Sequence, residues 1–150
     1  MTKKNRFFLI FQCFLIFGFI SQSCSKEQAP KPVDKIYDVV GITEKDARAF
    51  YFELRTAIGG NDKEKLSKMI RFPIGAKING KRTIVNNKKE FIDNYKEIIN
   101  KHIKDVVAKT TFEDLNPNWR GLFVGNGEII FTGIVGKEGI FVTAINNHLK

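Results

Sequence analysis

The sequence predicts an α+β fold, with amino-terminal helices packed on one face of a strongly curved antiparallel sheet. Three observations predict it. Apolar residues recur at helical spacing between about residues 43 and 107, interrupted by one hairpin pattern. Beyond about residue 110 the period shortens, and Gly-containing turns separate runs of strand length. Those turns are short enough to make neighbouring strands antiparallel. Helices followed by a meander give segregated layers rather than alternating βαβ units.

The chain has 150 residues, with 43% hydrophobic and 27% charged side chains, which suits one folded domain and excludes a wholly disordered chain. Its ends are unlike. Residues 2–6 carry Lys3, Lys4 and Arg6, and Phe7 to Ile20 is an apolar run broken only by Gln12. A membrane span needs about 20 apolar residues, whereas an export signal needs about 7–15. Residues 1–23 therefore read as a signal peptide.

Ser21-Gln22-Ser23-Cys24-Ser25 follows. A Cys behind a small residue at the end of such a run resembles a bacterial lipoprotein lipobox. The resemblance implies cleavage after Ser23 and lipid attachment (diacylglyceryl and an amide-linked palmitate-like chain) at Cys24. Ser21 stands where the pattern prefers an aliphatic residue, and Gln22 is also atypical. Two alternatives stay open: ordinary cleavage after Ser23, giving a secreted soluble protein, and an uncleaved anchor. Cys13 and Cys24 are the two cysteines, so the folded part has neither a disulfide nor a thiolate metal site. No metal and no cofactor are expected. Residues 24–40 form the tether: a lipidated Cys and a segment with two Pro, three basic and three acidic residues, read as disordered.

The domain, 41–150, is expected to open with a helix. Thr43 caps it, Asp46 completes a variant capping box, and Ala47, Phe50, Leu54 and Ile58 share one face. Gly59-Gly60 stops it. Asn61 or Asp62 caps a second helix whose apolar face is Leu66, Met69 and Ile70, ended by Pro73. Ile74 to Val85 is a hairpin around Asn79-Gly80. Asn86 or Asn87 caps a third, longer helix with Phe91, Tyr95, Ile98 and His102 in line, continuing towards Val107. Strands are expected near 110–115, 119–125, 128–135 and 140–147. Strand 128–135 is apolar on both faces, so both faces are covered, and Gly133 marks a bulge or bend.

This order resembles the nuclear transport factor 2-like superfamily over about residues 43–148. The carriers are Asn61-Asp62-Lys63 leading to Arg71-Phe72-Pro73-Ile74, then Phe91 and Tyr95, and above all the stretch Asn118-Trp119-Arg120-Gly121 through Gly125-Asn126-Gly127-Glu128-Ile129. Ile130-Phe131 stand where small exported members often have Trp. The resemblance implies a cone: a bent sheet wrapped around helices. The superfamily hosts isomerases, dehydratases and non-enzymatic binding modules, so the fold does not choose a function.

A cone pocket draws its candidates from Phe50, Tyr95, His102, Trp119 and Glu128. Asp46 is a further acid. Tyr95 and His102, seven apart, would sit about 10 Å apart along one ideal helix. Against chemistry stand simpler roles: a core Tyr, a His at a fraying helix end, a core Trp. Lys77, Lys81, Arg82, Lys88 and Lys89 cluster at the first hairpin, which reads as solvated edge protection. No phosphate loop, nucleophile elbow or paired-His motif is present.

The expectation is a non-enzymatic, membrane-tethered binding or structural lipoprotein of the cell envelope, facing the periplasm or the surface. Its partners are the bilayer through acylated Cys24 and a small hydrophobic ligand or an envelope protein, with no nucleic acid. The alternative is a small exported acid–base enzyme, isomerase- or dehydratase-like, with a hydrophobic substrate in the cone. An acid beside Tyr95 or His102 favours the enzyme; a filled cone favours the module.

Overall fold

The computed structural model describes residues 37, 39–134 and 137–149. The leader, Cys24 and nearly all of the tether lie outside the described residues. The fold is α+β: two helices, a two-stranded antiparallel hairpin, three short helices and a four-stranded antiparallel sheet follow in order. Among the described residues no helix is long and apolar enough to cross a membrane.

Helix α1 spans Glu44–Gly59. Thr43 caps it as expected: its Oγ1 accepts from the Asp46 amide and donates to the Asp46 carboxylate. The buried face is Ala47, Tyr51, Leu54, Ala57 and Ile58. Tyr51, absent from the expected stripe, is fully buried, while Phe50 is only half-buried. The helix stops at Gly59, but the left-handed residue is Asn61, at φ 54°.

Helix α2 spans Lys63–Lys68, capped by Asp62. Pro73 does not end it. The chain leaves the helix at Met69 because the next residues pair with the last strand. The Val142 amide donates to Met69 O at 2.8 Å, and the Arg71 amide to Val142 O at 2.9 Å. Met69 and Ile70 still reach the core.

Strands β1 (Ile74–Ile78) and β2 (Lys81–Val85) form the hairpin. Asn79 and Gly80 take positive φ, 51° and 75°, the double left-handed turn that matches strand twist. The expected long third helix is three pieces: α3 (Lys88–Asp93), α4 (Tyr95–Ile98) and α5 (Lys101–Lys109). Two asparagines divide it. Asn94 folds back to donate to Glu90 O, and Asn100 accepts from the Ile103 amide as a new N-cap. Asn competes with helix backbone in this way, which makes it a natural joint. His102 therefore sits in the first turn of α5, not at a fraying end.

Residues 110–115 are not a strand. Thr110 caps α5, and Phe112 and Leu115 are buried within a turn. Strands β3 (Asn116–Asn118), β4 (Gly121–Val124), β5 (Ile129–Ile134) and β6 (Lys137–Ile145) form a four-stranded antiparallel sheet in sequence order. Ile129, Ile130 and Phe131 are all buried, so β5 is covered on both faces. The register shifts at Gly133, as its position suggests. A Cβ there would come within 2.7 Å of Gly41 O, so the glycine admits the segment 40–42.

That segment belongs to the fold. Tyr37 and Val40 are buried, and the Tyr37 ring stacks on Phe112 at 6.5 Å. Packing thus begins before residue 41, inside the stretch read as tether. The reason is chemical: Tyr37 and Val40 remove apolar surface from water there.

The space between the helices and the large sheet is filled by aromatic rings. Phe131 lies 5.1 Å from Phe50 and 6.2 Å from Tyr51 (centroid distances), and Tyr51 packs on Phe112. A second cluster, Phe72, Phe91 and Tyr95, packs among the short helices. Asn147 ties the two sheets together. Its side chain accepts from the Lys77 amide and donates to Lys77 O and Glu97 O.

Candidate functional site

The five residues expected to line one pocket do not share one. Phe50 belongs to the aromatic filling against Phe131. Trp119 is 80% exposed at the turn between β3 and β4, with the Arg120 guanidinium 5.9 Å from its ring. It is not core. The Asn118 side chain accepts from the Arg120 amide and shapes that turn, and the turn carries the indole outwards. Asp46 is exposed and serves the α1 cap.

His102 and Glu128 do meet. His102 Nε2 lies 3.2 Å from Glu128 Oε1, with the Glu128 side chain 2% exposed and the His102 side chain 37%. Glu128 Oε2 accepts from the Asn126 amide at 2.6 Å. A Cβ on Gly125 would stand 2.5 Å from that same oxygen. The carboxylate therefore fills the Gly125-Asn126-Gly127 turn, and His102 covers it from the first turn of α5. The pair is at the edge where α5 meets this turn, apart from the aromatic interior.

Tyr95 lies elsewhere, at the start of α4. Its ring packs edge-on against Phe91 at 5.8 Å. The residue is 6% exposed, and among the described residues its hydroxyl has no hydrogen-bond partner. Burial raises its pKa above the ordinary phenol value, with the nearby Asp62 carboxylate adding to the rise. The hydroxyl accordingly keeps its proton and remains a donor.

Tyr95 lines an open cleft of about 810 Å³, together with Asn61, Lys63, Ile92, Lys96 and Lys104. Asp93 and Glu97 also line it. The joints in the chain create this cleft: the α1–α2 corner supplies one wall, and the Asn94 break between α3 and α4 turns Tyr95, Lys96 and Glu97 towards it. The sequence predicts an uninterrupted helix here, which does not place Lys63, Lys96 and Lys104 on one cleft. The signal available was the pair Asn94 and Asn100 inside an otherwise apolar stripe.

Among the described residues no group of three His, Cys, Asp or Glu side chains is placed to hold a metal ion. No family model, no curated protein and no solved structure matches the chain.

Proposed function

We propose that this chain is a membrane-tethered, non-enzymatic binding module of the cell envelope. In this reading it is an exported lipoprotein, cleaved after Ser23 and acylated at Cys24, carrying a nuclear transport factor 2-like domain. The observation that carries the non-enzymatic part is the filled interior. Where a hydrophobic substrate would sit, Phe50, Tyr51, Phe112 and Phe131 pack on one another. The order of helices and sheet supports the superfamily reading, and the lipobox-like Ser23-Cys24 supports the anchor.

Two measurements test it. Cells fed a clickable fatty acid should label the wild-type chain and not Cys24→Ala; equal labelling of both, or of neither, removes the anchor. The mature Cys24→Ala chain in detergent-free buffer should not enhance the fluorescence of the neutral probe N-phenyl-1-naphthylamine. Saturable uptake of the probe by the folded chain would place a cavity in the interior and overturn the reading.

One observation favours the enzymatic alternative: an acid does stand beside His102. A carboxylate that orients an imidazole is a recurrent acid–base arrangement. Here both Glu128 oxygens are engaged, one by His102 and one by the Asn126 amide, and Tyr95 is not part of the group. This supports a structural role for the pair over a catalytic one.

A further inference from the structure

We propose that the Tyr95 cleft is the module's ligand site and that its ligand is a small hydroxylated oxyanion, a compound carrying a carboxylate or a phosphate. The inference rests on the binding-module reading and names the ligand class for it.

The lining of the cleft holds three lysines against two acids. Lys63, Lys96 and Lys104 line it, and none of them makes an ion pair among the described residues. Of the two acids in the wall, one is ion-paired and the other keeps its charge while accepting a hydrogen bond. Asp93 pairs with Lys89 at 2.7 Å, and Glu97 Oε2 accepts from the Asn79 amide. Asp62, near Tyr95, accepts from the Lys65 amide as the α2 cap. The Asn94 amide group donates to Glu90 O. What is left uncommitted is three ammonium groups and one phenol, all donors.

The phenol is the sharper observation. A buried hydroxyl without a partner forfeits its hydration and receives nothing in exchange. Proteins retain few such groups, and each calls for an explanation. A ligand oxygen that reaches the Tyr95 hydroxyl restores the lost bond. The lysines of the lining have long flexible stems, so their rotation brings an ammonium to the same anion. The cleft's volume lies in the range of small-molecule sites. Ile92 gives one apolar contact, while the Asn61 amide and the lysines suit hydroxyl groups. A long hydrophobic ligand finds no matching wall.

The test is calorimetric titration of the full chain in non-ionic detergent, at low ionic strength, with three probes. Digalacturonate carries carboxylates, glucose 6-phosphate carries a phosphate, and cellobiose is uncharged. At least one of the two anions should bind and cellobiose should not; which anion binds separates the carboxylate source from the phosphate source. Tyr95→Phe should weaken the anion about tenfold or more, the worth of a hydrogen bond to a charged group, while its melting temperature stays equal or rises. Replacing Lys63, Lys96 and Lys104 together by Gln should weaken it further, and raising the salt on the wild type should mimic that loss. The salt arm keeps the test valid if the triple variant folds poorly. Binding by neither anion, equal binding of cellobiose, or anion affinity unchanged by salt would overturn the assignment. Such failure leaves the binding-module reading standing, because that reading falls instead on hydrophobic probe uptake by the interior.

Discussion

Glu128 reaches His102 and the Asn126 amide at once, 3.2 Å and 2.6 Å away, from a wholly buried position. One side chain thereby joins α5 to the β4–β5 turn. Glu128→Ala should cost about 2–3 kcal/mol, because it strands the Asn126 amide and empties the turn. His102→Ala should cost less, about 1 kcal/mol, since its ring is partly solvated. Urea unfolding of the two variants checks the order; a larger loss from His102→Ala would give the histidine a role beyond covering the carboxylate.

Tyr37 stacks on Phe112 and is buried. A chain beginning at Asp38 should therefore be less stable than one beginning at Cys24, by about 2 kcal/mol for the lost aromatic burial. A chain beginning at Tyr37 should match the longer one. Equal denaturation midpoints for all three would return residues 37–40 to the tether.

Tyr51 donates to Thr110 O at 2.9 Å, and burial pushes its pKa up to about 12. The folded pKa lies above the unfolded one, so folding favours the protonated phenol. That contribution is fully present below about pH 10 and is lost as the pH rises towards 12. Two units correspond to about 2.7 kcal/mol at most. Alkaline melts of the wild type should fall more steeply over this window than those of Tyr51→Phe. Parallel curves would mean that the phenol ionises as easily in the folded chain.

Trp119 is the single tryptophan and is 80% exposed. Native fluorescence should show a solvent-exposed indole, readily quenched by acrylamide. Trp119→Ala should change stability by no more than about 0.5 kcal/mol. A blue-shifted, protected emission would mean that something covers this turn.

The sequence made some elements legible because their signals are local. Thr43 and Asp46 specify the α1 start, Asn79-Gly80 specifies the hairpin, and Gly133 announces the bulge. What it hid depends on distant partners. Met69 leaves its helix for Val142, and Tyr37 is packed by Phe112. No local pattern reveals these. The candidate site divided the same way. Glu128 at a strand start and His102 on a helix were both visible as candidates, but their meeting needed the break at Asn100. Tyr95 is visible on the apolar stripe, whereas the lysines that share its cleft come from separate elements.

The pairing of Met69–Arg71 with Val142 has a kinetic consequence. Lys77 and Asn147, 70 residues apart, and Val40 and Thr132, 92 apart, are joined by hydrogen bonds of the same long-range kind. Closing such loops costs entropy before any contact forms to offset it. Folding should therefore be slower than that of a helical bundle of the same length. A refolding time course would show helical signal arriving well before the protection of the β6 amides.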